Sequence, residues 1–204
     1  MDSSLLLFYI PILIFSIILH EIAHGVVALW FGDATAKNAG RLTLNPIPHI
    51  DLLGSIILPF LMIISGSPVM LAWAKPVPTN PWRYSNLRWG TFCVSGAGIL
   101  TNLILGVIAS IALYLCDPGG LLSRVFTIGA LMNFGLAFFN LLPIPPLDGL
   151  SLLASLFNCS EEVEGSLTKI GMMGFMILFI ILMVLPIGQF VFTAAYSLLS
   201  FLAP

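Results

Sequence analysis

The chain has 204 residues, of which 59% are hydrophobic and 8% charged, with a formal net charge of −2. A soluble domain carries about a quarter charged residues, so seven basic and nine acidic side chains cannot cover a water-facing surface of this size. The composition excludes a soluble globular protein, makes the lipid bilayer the expected solvent, and gives no reason to expect nucleic acid as a partner.

Cys93, Cys116 and Cys159 are isolated, an odd set that makes neither a disulfide framework nor a metal-ligand pattern. The N-terminal apolar stretch is too long for a cleavable signal and lacks a basic leading region. Polar stretches never exceed roughly 20 residues, well short of a folded domain. Residues 1–204 are therefore expected to form a single membrane-embedded domain.

Leu5–Trp30 reads as a spanning helix, with Pro11 in its second turn. Its only imidazole or charged side chains are His20, Glu21 and His24, in the stretch His20-Glu21-Ile22-Ala23-His24. On a helix, residues four apart share a face, so the two histidines can hold one side of a tetrahedral Zn²⁺. The intervening Glu21 can act as general base on a metal-bound water. Ionisable groups at such depth are costly and point to a function. At about 1.5 Å per residue, His20 lies about 15 Å from the Trp30 end, inside the membrane.

Gly32-Asp33 breaks this helix. Arg41, Leu42, Thr43 and Leu44 then alternate polar and apolar, the pattern of a short β-like segment, and Asn45-Pro46 ends it. A plain loop is the alternative. A strand there would offer a free edge to an extended peptide. Leu52–Ala74 is apolar but interrupted by Pro59 and by Ser65-Gly66-Ser67-Pro68, so it either spans with a kink or dips in and returns. Lys75–Pro81 holds three prolines and must run extended. Trp82, Tyr84 and Trp89, beside Arg83 and Arg88, read as an interfacial belt.

Gly90–Leu115 spans, with Gly96-Ala97-Gly98 permitting close packing before Asn102. Asp117–Gly120 is a turn, and Leu121–Leu142 spans again, carrying Asn133 and Asn140. Pro143–Gly149 unwinds the chain. Asn158–Lys169 is polar, and its three glutamates read as solvated. Ile170–Leu185 and Gly188–Leu202 are two shorter apolar segments. The expected fold is an all-α polytopic bundle of about five to six transmembrane segments, one of them re-entrant, with a short β-like membrane-associated loop.

Two histidines need a third protein ligand. His49 and Asp51 precede a broken apolar segment and are possible. Asp148 is the better choice, because it follows a span directly and three prolines keep the backbone from continuing as a regular helix.

The segments HEIAHG, GRLTLNPIPHID, AKPVPTNP and NLLPIPPLDG together resemble the site-2 protease family of intramembrane zinc metalloproteases. The likeness is to its compact bacterial and archaeal branch, without PDZ or CBS domains, and runs from about Leu5 to about Leu153. It implies one zinc per chain on His20, His24 and Asp148, with Glu21 as general base. It also associates Asn102 and Asn140 with the substrate cleft. The implied substrate is a membrane-tethered protein with a single spanning helix, cut within or near that helix. The family usually has Gly-Pro where this chain has Gly98-Ile99, which bears on the local kink and not on the chemistry.

A transporter or channel would use His20, Glu21 and His24 as an ion pathway, but it explains neither the ligand spacing nor the Pro-Pro-Leu-Asp-Gly break, and no internal repeat is visible. A non-catalytic scaffold is the third reading. The basic residues address topology. If Leu52–Ala74 crosses fully, they divide three against four. If it is re-entrant, Lys37, Arg41, Lys75, Arg83, Arg88 and Lys169 share one side and Arg124 alone lies opposite. The second arrangement satisfies the positive-inside rule. It puts the N-terminus outside a prokaryotic cell membrane and opens the site towards the cytoplasm.

Overall fold

The computed structural model describes residues 3–57, 60–61, 64, 74–170, 174, 178, 181 and 185–203. Six helices carry the architecture: α1 (Ser3–Trp30), α2 (Leu87–Leu113), α3 (Leu121–Asn140), α4 (Asp148–Leu156), α5 (Ser160–Ile170) and α6 (Ile187–Leu202). Among the described residues three helices, α1, α2 and α3, are long and apolar enough to cross a membrane. The regular structure among the described residues is all helical, as expected.

The long helices are built inside out relative to a soluble bundle. In α1 the buried positions Ser16, His20, His24 and Ala28 recur every fourth residue, while Leu7, Ile10, Ile14 and Phe15 face outward. The polar stripe thus meets protein and the apolar surface meets lipid. α2 starts on Asn86, whose side chain accepts the Trp89 N–H. Its buried face is made of Thr91, Val94, Ser95, Gly98, Asn102, Gly106 and Ala109. Such small residues let neighbouring backbones approach, which is how helices associate where lipid removes the hydrophobic drive.

α1 and α2 run antiparallel: Ser16 lies beside Asn102, and Phe31 beside Ser85. α3 returns along α2, with the Phe134 ring where a side chain at Gly106 would otherwise sit. Ala195 and Leu199 of α6 close this cluster against Ala109, Ala130 and Phe134. The Tyr114 hydroxyl ties the other end of α2 to α6 through the Leu202 carbonyl, at 2.5 Å.

The connections on either side of 52–74 interlock at the end of α1. Lys75 N–H donates to the His49 carbonyl and Ser85 N–H to the Phe31 carbonyl. The Arg41 guanidinium donates to the Lys75 carbonyl at 2.8 Å. Both flanks of 52–74 therefore lie at one end of the bundle, as a re-entrant segment requires. Leu52–Ile57 forms a π-helical turn. The path of most of 58–73, and of most of the apolar segment 170–185, lies outside the described residues.

Several expectations are corrected. Arg41–Leu44 is not a strand, and no strand occurs among the described residues. Its backbone is spent on turns: Arg41 N–H bonds the Ala36 carbonyl, and the Thr43 carbonyl accepts from His49. Tyr84 is not part of an interfacial belt. It is buried with Ala28 and Val94, while Trp82 and Trp89 stay exposed. The polar stretch after Asn158 is the helix α5, packed on α4. Glu161 and Glu162 are exposed, but Glu164 is half-buried. Burial there pushes its carboxyl up, against a hydrogen bond with Ser151.

Asp33 pins the two connections together. It is fully buried, and its carboxylate accepts the Thr35 N–H at 3.0 Å, the Thr35 hydroxyl, and the Asn80 N–H at 2.6 Å. Burial raises its pKa, but these donors and Arg83 outweigh that and hold it below the ordinary 3.8. A depressed carboxyl stabilises the fold above its ordinary pKa and loses that contribution as pH falls through the folded value. Asp33→Ala should cost about 1.5–3 kcal/mol at pH 7. Thermal unfolding in detergent should show a lower midpoint, and the gap from the unmutated chain should narrow as the pH drops below about 4.

Candidate metal centre

One helical turn separates His20 from His24, and their Nε2 atoms lie 3.0 Å apart with the rings edge to face. Asp148 arrives from the far end of the sequence. α3 ends at Asn140, the stretch 141–147 turns back, and Asp148 opens α4. Gly149 permits this approach, since a Cβ there would overlap the Leu141 carbonyl. Asp148 Oδ2 then sits 3.2 Å from His20 Nε2 and 3.4 Å from His24 Nε2. One ligand atom from each of the three residues falls within 4.8 Å of the others.

The chemistry of this triad suits a cation. His20 Nδ1 lies 2.6 Å from Asn102 Oδ1, and His24 Nδ1 lies 2.7 Å from the Val94 carbonyl. An oxygen acceptor calls for a proton on Nδ1 in each ring, which leaves both Nε2 atoms bare. Two nitrogen lone pairs thus face a carboxylate oxygen that is buried without a hydrogen-bond partner. Such a cluster is repulsive unless something positive lies between its members. Two imidazoles and one carboxylate are a known donor set for tetrahedral zinc with an open fourth position. Imidazoles held through their second nitrogen are typical of metal ligands.

Glu21, next to His20, is turned towards the extended stretch around Val77. Its Oε2 accepts the Val77 N–H at 2.6 Å. Val77 and Leu42 both reach Gly25, one residue past His24: a Cβ at Gly25 would lie 2.5 Å from Leu42 Cδ2 and 3.0 Å from Val77 Cγ1. Leu42 is therefore close to the triad. Its N–H has no partner among the described residues.

The other expected residues fall in different places. Asn102 is fully buried behind His20, with no surface open to a cleft. Asn140 is half-buried at the end of α3, and its amide donates to the Leu136 carbonyl at 3.0 Å. Arg41 is buried on Lys75, Thr43 belongs to the loop held by His49, and Leu44 is exposed. His49 and Asp51, weighed as ligands, are outside the triad. His49 bonds the Thr43 carbonyl, and Asp51 caps the Leu52–Ile57 turn through the Gly54 N–H.

Sequence reasoning missed three partners. Val94 and Val77 act through backbone groups, which any residue could supply, so their identities carry no signal. Gly98 was visible only as part of a small-residue run. Its role is specific: an ideal Cβ there lies 2.5 Å from His20 Cε1 and 2.5 Å from His24 Nε2.

The family described as Peptidase family M50 matches residues 118–185. The chain is 39% identical over 197 residues to "Putative zinc metalloprotease YwhC" of Bacillus subtilis (strain 168), an alignment covering 92% of this chain and 85% of that protein. It is 31% identical over 189 residues to "Putative zinc metalloprotease Rip2" of Mycolicibacterium smegmatis, covering 91% of this chain and 70% of that protein. A shorter match, 44% identical over 57 residues, is to "Putative zinc metalloprotease MJ0611" of Methanocaldococcus jannaschii, covering 28% of this chain and 30% of that protein. No solved structure matches the chain.

The position of Gly98 leads to a test. A methyl group at that site must displace both imidazoles, so Gly98→Ala should lower the affinity of the triad for a divalent metal about tenfold or more, the scale of a disturbed ligand surround. Gly135→Ala, where an added Cβ meets nothing within 4 Å, should leave it unchanged. Chelator competition on the purified proteins measures both.

Proposed function

This chain belongs to peptidase family M50, the site-2 protease family, and we propose that it is a zinc-dependent intramembrane endopeptidase acting on a membrane-spanning protein. The observation that carries the proposal is the convergence of His20, His24 and Asp148 to within 4.8 Å at a depth where unpaired polar groups are not tolerated. These three residues would hold one zinc per chain. Zinc bound there supplies a Lewis acid that polarises a scissile carbonyl and brings the pKa of a water towards neutrality.

The remaining work falls to the chain's own groups. Glu21 Oε2 is engaged by the Val77 N–H, which leaves its other carboxylate oxygen to accept the proton of the attacking water. The same carboxyl then delivers that proton to the leaving amine. A transmembrane substrate hides its carbonyls in helical hydrogen bonds and must be held extended. The Leu42 N–H, without a partner among the described residues, suits one backbone pairing with such a stretch, so within Arg41–Leu44 the pairing role is assigned to Leu42. Asn140, at the end of α3, is assigned to the substrate cleft on the family resemblance, as Asn102 was. The substrate class is a membrane-tethered protein cut within or near its spanning helix.

The site is assigned to the cytoplasmic side of a bacterial cell membrane. Lys37, Arg41, Lys75 and Arg83 lie in the two interlocked connections, and Arg88 lies in the first turn of α2. Arg88 also bonds the Ser155 and Leu156 carbonyls, which brings the end of α4 to that same layer. The positive-inside rule then sets the orientation.

Metal analysis of the purified chain should find about one zinc, kept in Glu21→Gln and largely lost in His20→Ala, His24→Ala and Asp148→Ala. Glu21→Gln should lose about 10²–10⁴-fold in cleavage. It should also capture an uncut single-span protein that the unmutated chain cleaves. An unmutated chain without zinc would sink this reading.

Topology is tested by thiol labelling in a background free of native cysteines. Asn38 and Ser85 are exposed, one in each connection. Asn38→Cys and Ser85→Cys should both react with a membrane-impermeant reagent only after cells are opened. Labelling of either in intact cells would contradict the cytoplasmic assignment.

A further inference from the structure

We propose that Asn133, on α3, is a positioning residue for the metal centre: acting through Asn102, it determines which ring nitrogen of His20 carries the proton. The proposal rests on the reading of His20 as a metal ligand. Its starting point is an atom with no choice of role. The Gly129 carbonyl can only accept, and Asn133 Nδ2 lies 2.9 Å from it. Asn133 must then turn its Oδ1 the other way, where it meets Asn102 Nδ2 at 3.0 Å. That contact orients the second amide. Asn102 Oδ1 is left facing His20 Nδ1 at 2.6 Å.

An amide oxygen at 2.6 Å requires a donor, so His20 carries its proton on Nδ1 and keeps the Nε2 lone pair. Nε2 is the nitrogen that faces His24 Nε2 and Asp148 Oδ2. A neutral imidazole has two tautomers, and only this one can ligate on the side where the triad lies. Asn102 alone would not decide between them. Its amide presents an oxygen in one orientation and an NH₂ in the other, and the NH₂ would favour the tautomer with the proton on Nε2. Asn133 removes that ambiguity by supplying an acceptor on the far side.

Burial makes the constraint strict. His20 is 7% exposed, Asn102 0% and Asn133 4%. A reversed Asn102 would set its oxygen against Asn133 Oδ1 and two acceptors would face each other, at a cost of about 1–3 kcal/mol for each buried group left unpaired. It would also give up the long contact of Nδ2 with the Ser16 carbonyl at 3.5 Å. The relay thus runs from the α3 backbone through two amides of α3 and α2 to a ligand on α1. Asn133 hydrogen-bonds Asn102 and the Gly129 carbonyl and not the triad or Glu21, so its part is to position and not to react.

A double-mutant cycle on the full chain in detergent tests this, with zinc affinity read by competition against a chromophoric chelator. Asn133→Leu should weaken zinc about tenfold, the lower end of the range for lost outer partners of a ligand. Asn133→Gln keeps both a donor for the Gly129 carbonyl and an oxygen for Asn102, and should restore part of the affinity. In an Asn102→Ala background Asn133→Leu should have no further effect, because the amide that it orients is gone. Unchanged affinity in Asn133→Leu, or an equal loss in both backgrounds, would overturn the relay. If Asn133→Leu does not fold, nitrogen-15 shifts of the metal-free unmutated protein decide. The proposal requires the proton of neutral His20 on Nδ1, and a proton on Nε2 would overturn it. An unmutated chain that takes up no zinc overturns the metal reading itself, whereas uptake indifferent to Asn133 overturns the relay alone.

Discussion

Two imidazoles and a carboxylate set into a membrane helix bundle are tolerable only if the polar atoms around them are paired within the protein, because hydrocarbon offers no substitute for water. That demand organises the interior. His24 is answered by the Val94 carbonyl, His20 by Asn102, Asn102 by Asn133, and Glu21 by the Val77 N–H. Each partner comes from a different element than the group it answers, apart from the shared use of α2. The polar centre therefore joins α1, α2, α3 and the extended stretch near Val77. Asp148 Oδ2, left unpaired at the focus, is where a cation would complete the set.

Pairing at such short range requires close backbones, and glycine supplies them. Gly98 lets α2 rest against both imidazoles, Gly25 accepts Leu42 and Val77 beside His24, and Gly149 lets α4 begin on the last carbonyls after α3. None of these sites needs an unusual backbone angle. All three lack room for a side chain, and at two of them the displaced atoms belong to the triad or to the backbone that carries it. The lipid-facing residues tolerate change by comparison, since they need only remain apolar.

The layer formed by the connections after α1 and before α2 sits over the end of the site. Its own polar chemistry, centred on Asp33 and Arg41, ties residues 31–51 to residues 75–86. The Val77 N–H that holds Glu21 belongs to this layer. Ordering of the connections is thereby coupled to the position of the proposed base, and loosening one would disturb the other. This coupling is a physical reason for a proline-rich extended segment in a protein otherwise made of helices: prolines at 76 and 78 cannot donate, so Val77 supplies the donor between them.

Much of this protein was legible in the sequence because the membrane simplifies inference. Apolar runs marked α1, α2 and α3 within a few residues of their observed ends, and the four-residue spacing of His20 and His24 is a property of any helix. The Asp-Gly step after three prolines pointed to Asp148. Tertiary structure alone decided the rest. Arg41–Leu44 has the alternation of a strand, but a strand needs a partner and none lies beside it among the described residues. Tyr84 looked interfacial beside two tryptophans, yet packing on Ala28 and Val94 buried it. Val94, Val77 and Gly129 enter through peptide groups, which every sequence contains. Asn102 and Asn133 were visible as asparagines in spanning helices, but their pairing depends on the register between α2 and α3. Local pattern determines which face of a helix is polar. Only the approach of another helix determines which atom that face will meet.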